Sequence, residues 1–127
     1  MRSKSVLEMG GDGPGLLQAA AWREAVAPFW EFALGYRREE DDGDGFIDLA
    51  PPDGDGPVVF LQRVPEPKAT KNRLHLDLYV AEPEPFMEQL EELGATRLGE
   101  PVIEGDEWAF QVMSDPVGNE FCVCRDT

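Results

Sequence analysis

Two segments of this chain end on the same dipeptide, Leu34-Gly35 and Leu93-Gly94, 59 residues apart, and the patterns around them follow one order. Residues 22–34 (WREAVAPFWEFAL) place Trp22, Val26, Phe29, Trp30, Ala33 and Leu34 on one helical stripe, and Gly35 supplies the stop. Pro28 lacks an N–H, so this helix is expected to start late or bend there. Residues 83–94 (PEPFMEQLEELG) predict a second helix with proline in its first turn, Phe86, Leu90 and Leu93 inward, and Gly94 as its stop. Outside the helices the period falls to two. Residues 73–80 (RLHLDLYV) put Leu74, Leu76, Leu78 and Val80 on one face and Arg73, His75, Asp77 and Tyr79 on the other. Residues 107–113 set Trp108, Phe110 and Val112 against Glu107, Ala109, Gln111 and Met113. Residues 120–125 set Phe121 and Val123 against Glu120, Cys122 and Cys124. With strands over 36–40, 45–50 and 57–64, and a first strand in GLLQAAA (15–21), the order is strand, helix, three strands, written twice.

Such a repeat restricts the architecture, because neither half carries enough apolar residues for a core of its own and the two must share one. The 127 residues suit a single domain over 15–127. Within it, module 1 spans about 15–64, a proline-bearing linker 65–72, and module 2 about 73–125, with a flexible N-terminal arm over 1–14. Charge narrows the partners. With 26 acidic against 11 basic residues, a net −15, the surface repels phosphate backbones and anionic lipid, which excludes nucleic-acid and membrane-surface roles. No apolar run approaches the roughly 18 residues a membrane span needs, and the N-terminus has no signal-peptide apolar region, so a cytoplasmic protein is expected. Cys122 and Cys124 are two apart on one strand and are read as buried, reduced thiols. A CxC metal or redox site would want a second pair, and the sequence holds none.

The duplicated order, with FWEFALGY (29–36), FLQRVPEPKATKNRLHLDLYV (60–80), LGATRL (93–98) and SDPVGNEFCV (114–123), resembles the glyoxalase-like domains of the vicinal oxygen chelate superfamily. That superfamily includes glyoxalase I, bleomycin-resistance proteins and extradiol dioxygenases, and the resemblance covers about residues 15–125. It implies an α+β fold in which two βαβββ modules form curved mixed sheets around a cleft, with helices outside. It also implies a small-molecule ligand in the inter-module cleft and, commonly, a homodimer. In the metal-dependent members two ligands per module project from the first and last strands. In module 2 that pattern falls on His75 and Glu120. In module 1 the 59-residue repeat leads to Leu16 and Leu61, or to Gly15 and Val58 with the register shifted, and none of these coordinates a metal. A divalent ion (Zn, Ni, Mn or Fe) would thus find half a site. The resemblance therefore implies one of two functions. One is a metal-assisted lyase or isomerase, with His75 and Glu120 as metal ligands and catalytic groups and Glu120 moving a proton. The other is a metal-free protein that sequesters a ligand as bleomycin-resistance proteins do, for which the apolar half-site argues.

Arg73, Asp77, Tyr79, Gln111 and Met113 are expected to line the same face as ligand-binding residues. Each of the two polar candidates also has a plain structural reading. His75, the only histidine, would simply bond Asp77 or a neighbour, and Glu120 would pair with Lys71, Arg73 or Arg125. Residues 40–48 (EDDGDGFID) imitate a calcium loop through its ninth position. The twelfth, which must be a bidentate Glu, is Pro51, so the segment is read as a hairpin turn. GGDGPG near the N-terminus lacks the Lys-Ser/Thr of a phosphate loop, and one histidine without a nucleophile elbow supports no serine triad.

Overall fold

The period-two segments pair into two sheets, one from each half of the repeat. The computed structural model describes residues 6–10, 19–41, 45–64, 69–70 and 74–126. The first half runs β1 (Val6–Gly10), α1 (Ala19–Leu34), β2 (Arg37–Asp41), β3 (Phe46–Ala50) and β4 (Val58–Gln62), with strand order β1-β4-β3-β2. The second runs β5 (Leu76–Val80), α2 (Pro83–Glu92), β6 (Thr96–Arg97), β7 (Val102–Glu104), β8 (Glu107–Ser114) and β9 (Glu120–Arg125). Its order is β5-β9-β8-β6, and β7 also pairs with β8. In each sheet the first strand lies parallel to the last, and the other neighbours are antiparallel. The α+β architecture and its two sheets are those the repeat predicts.

The first strand is not where the sequence pattern placed it. Val6–Gly10 pairs with β4, Val6 opposite Val58 and Gly10 opposite Gln62, while residues 19–21 of the GLLQAAA segment already belong to α1. The expected flexible arm over 1–14 therefore contains a sheet strand, and module 1 begins before residue 15. Residues 15–18 lie outside the described residues. The physical reason is composition. Three consecutive alanines favour helix over strand, and a short apolar run carries too few periods to separate the two by pattern. Pro28 neither delays nor ends α1, which runs from Ala19 through it to Leu34.

The second sheet holds a strand that period-two reading missed. β6 and β7 are two halves of one antiparallel partner of β8, interrupted over residues 98–101. Gln111, only 2% exposed, spans the interruption. Its Nε2 donates to the carbonyls of Val112 (2.9 Å), Gly99 (3.1 Å) and Leu98 (3.3 Å), and the Leu98 N–H bonds the Val112 carbonyl at 2.9 Å. A side-chain amide here takes over from the regular ladder bonds.

One core joins the halves. Trp22, Val26, Phe29 and Trp30 of α1 and Met87 and Leu90 of α2 bury against Ile47, Leu49, Val59 and Leu61 of the first sheet and Met113, Phe121 and Val123 of the second. Both helices thus cover the same face of the sheets. Phe29, Trp30 and Phe121 meet edge to face, with centroids 5.0, 5.7 and 5.2 Å apart. Trp30 Nε1 also donates to the buried Asp115 Oδ2 at 2.8 Å. Asp115 accepts further bonds from the Val117 and Asn119 N–H groups and from Asn119 Nδ2 at 2.8–3.0 Å, so it organises the turn from β8 into β9. Burial pushes the Asp115 carboxyl above its ordinary range, and the donors from Asn119, Trp30 and Val117 oppose that push. In α2 the buried residues are Pro83, Met87 and Leu90; Phe86 is half-buried and Leu93, at the C-cap, is exposed. No helix among the described residues is long and apolar enough to cross a membrane.

Candidate functional site

The face of the second sheet turned away from the helices carries the polar candidates in rows. Asp77 pairs with Cys122, which pairs with Val112; Tyr79 pairs with Cys124, which pairs with Phe110. Glu120 opens β9 opposite Ser114, and one step back along the parallel register brings it level with His75 at the entrance to β5. Cross-strand partners project to the same side of a sheet, so His75, Asp77, Tyr79, Glu120, Cys122 and Cys124 share this face.

Of these, three converge. His75 Nδ1 lies 3.7 Å from Asp77 Oδ1 and 3.8 Å from Cys122 Sγ. The His75 and Asp77 side chains are 36% and 48% exposed, whereas Cys122 is buried. Neither cysteine forms a disulfide, as the sequence implies. Burial, reinforced by the Asp77 carboxylate, pushes the Cys124 thiol up. Cys122 was not a site candidate from sequence. The signal was nonetheless there: His75 and Asp77 alternate onto one face, and a parallel β5–β9 pair sets Asp77 beside Cys122.

Beyond Tyr79 the same face opens into a cleft of about 300 Å³. Tyr79, Trp108, Ala109, Phe110 and Cys124 line it, with Glu104, Glu107 and Arg125 as its charged members. The Arg125 guanidinium stands 6.0 Å from the Trp108 ring centroid. All of these residues belong to module 2, so this cleft is walled by one module rather than by two.

Two expected lining residues are elsewhere. Met113 pairs with Phe121 and Gln111 with Val123, which puts both on the helix-covered face; Met113 is fully buried and Gln111 serves the backbone at the strand interruption. Phe110 and Val112, expected inward, occupy the open face instead. The buried face of β8 is the more polar of the two by sequence, because the Gln111 amide is used up on backbone carbonyls, so hydropathy alternation alone points to the wrong face. Arg73 lies outside the described residues. So do residues 42–44 of the acidic segment that imitates a calcium loop.

The paired modules and the open polar face are those of a vicinal oxygen chelate domain. A family model, the glyoxalase-like domain, matches residues 16–124, and the chain belongs to that family. No curated protein sequence matches it significantly. Solved structures share the fold. A glyoxalase/bleomycin resistance protein/dioxygenase family enzyme from Burkholderia phytofirmans PsJN is 14% identical, with 95% of this chain and 96% of that chain covered and a TM-score of 0.67. A glyoxalase-related enzyme from Fulvimarina pelagi is 18% identical over 99% and 89%, with a TM-score of 0.68. The fosfomycin resistance protein FosX from Listeria monocytogenes, solved with Mn(II) and a dihydroxypropylphosphonic acid, is 10% identical over 98% and 86%, with a TM-score of 0.65.

The metal of the family's metal-dependent members can be tested against the residues present. The β1–β4 and β5–β9 pairs are both parallel. Aligning the turns that lead into the last strands, Gly56-Pro57-Val58 with Gly118-Asn119-Glu120, sets Val58 at the place of Glu120, and Val58 pairs with Val6. Valine offers no donor, so the four-ligand set does not fit this chain.

Proposed function

We propose that the protein binds a small organic cation on the open face of its second sheet, without the family's four-ligand metal set. The observation that carries this reading is the cleft's lining: three aromatic rings, Tyr79, Trp108 and Phe110, with two carboxylates to one guanidinium. At about 300 Å³ it matches the lower end of small-molecule sites. Glu104 and Glu107 stand directly opposite each other in the β7–β8 ladder, an arrangement of like charges that a bound cation relieves. Aromatic faces add cation–π attraction, and the net charge of −15 draws cations toward the whole molecule. Bleomycin-resistance-like sequestration is the functional class this favours.

A metal-assisted lyase or isomerase is the second reading. It draws on His75 and Glu120 standing level on one face, and on the Mn(II) in the FosX structure. Val6 and Val58 in the other half-site weigh against it. The open cleft has one wall, and a second copy of the chain would supply the other, so a homodimer in the cytoplasm is part of the proposal; light scattering on the full chain reads the mass directly.

Calorimetry with planar aromatic cations, and with anions of matched size, tests the ligand class. Cations are expected to bind and anions not. Trp108→Ala and Glu107→Gln should each weaken binding by about tenfold, near 1.4 kcal/mol. A preference for anions, or cation binding indifferent to both substitutions, would overturn the reading.

A further inference from the structure

We propose that His75, Asp77 and Cys122 form a site for one zinc-class divalent ion, with a ligand set different from the His75 and Glu120 pair of the family pattern. The three donor atoms lie within 4.8 Å of one another, with His75 Nδ1 at the apex, 3.7 Å from Asp77 Oδ1 and 3.8 Å from Cys122 Sγ. A tetrahedral ion bonds sulfur at about 2.3 Å and nitrogen or oxygen at about 2.0–2.1 Å, which sets those donors roughly 3.3–3.6 Å apart. The two separations from His75 exceed that by a few tenths of an ångström, and the third, Asp77 to Cys122, lies within 4.8 Å. His75 and Asp77 are exposed side chains, so closing the set on an ion calls for rotation of these two rather than of the buried Cys122.

The backbone supports the same geometry. Asp77 and Cys122 are register partners in the parallel β5–β9 pair, and His75 sits two residues before Asp77 on the same face, so the ligands hang from two hydrogen-bonded strands. The donor chemistry selects the metal. Imidazole, carboxylate and thiolate together suit Zn²⁺ and its borderline neighbours, whereas Ca²⁺ and Mg²⁺ demand oxygen throughout. Coordination displaces the Cys122 thiol proton to solvent. Three protein ligands leave a fourth position, and the exposure of His75 and Asp77 gives water access to it. The CxC segment thereby acquires its missing partners from a different strand. The site goes beyond the ligand-binding reading and stands or falls without it.

The test is calorimetric titration of Zn²⁺ into chelator-stripped protein, for the natural chain and for Cys122→Ser, Asp77→Asn and Glu120→Gln. One ion per chain is expected, with Cys122→Ser and Asp77→Asn each weakening affinity by at least about tenfold and Glu120→Gln by less than about threefold. Co²⁺ loaded in place of Zn²⁺ should show a thiolate-to-cobalt charge-transfer band that Cys122→Ser abolishes. Asp77 is exposed, so its substitution leaves the fold intact and keeps the test decisive if Cys122→Ser destabilises the chain. Absence of binding at millimolar Zn²⁺, a silent Cys122→Ser, or a Glu120→Gln loss as large as that of Asp77→Asn would each overturn the proposal.

Discussion

Asp115 is a buried carboxylate that ties α1 to the turn between β8 and β9. It is 3% exposed and takes four N–H donors, one of them from Trp30 in α1, 85 positions away in sequence. The turn it holds delivers Glu120 and then Phe121, so one carboxylate couples helix docking to the start of the strand that bears Cys122. Asp115→Ala would leave the Trp30, Val117 and Asn119 donors buried without their acceptor. Urea unfolding is expected to show a loss of about 3 kcal/mol or more, with Asp115→Asn costing less because one acceptor oxygen survives. A loss under 1 kcal/mol by the same measurement (about 1 being the worth of one ordinary hydrogen bond) would show that the turn holds without it. In the sequence this residue looked like one member of a turn, SDPVGN. Asp and Gly at a corner are legible locally; the tryptophan that meets the carboxylate is not.

At the scale of elements, the passage from α2 to β6 depends on Gly94. Its φ is +108°, and a Cβ there would stand 3.0 Å from Pro116 Cγ, inside the turn that Asp115 organises. The backbone conformation strains any side chain there, and a Cβ would require the Pro116 ring to give by a few tenths of an ångström. Gly94→Ala is expected to cost about 1–3 kcal/mol in the same unfolding experiment, whereas an unchanged midpoint would mean the turn yields freely. The glycine stop itself was readable from the sequence, as were both helices and the strands β2, β3, β4, β5, β8 and β9 within a few residues. Two things at this scale were not. β6 and β7 are two and three residues long, too short for a period to register, and their continuity rests on Gln111 bonding across the interruption. Strand β8 buries its more polar face, so its alternation misdirected the reading: Met113 and Gln111 point to the core and Phe110 and Val112 to the open face.

At the scale of the whole molecule, the core is common to both halves, and β1 pairs with β4, which supplies Val59 and Leu61 to it. Deleting residues 1–10 removes the strand that pairs along the full length of β4, Val58–Gln62. A melting temperature lower by about 10 °C or more, or failure to fold, is expected in thermal unfolding. A dispensable arm would leave it unchanged. The sequence by itself determined the duplication, the α+β class and the two helices, because each follows from local periodicity or turn chemistry. Only the tertiary structure decided which N-terminal segment is the first strand, which face of β8 is core, and that Cys122 stands beside His75 and Asp77. Those three outcomes depend on strand register and on pairing between segments tens of residues apart, and a one-residue shift in register reverses the face of every side chain it touches.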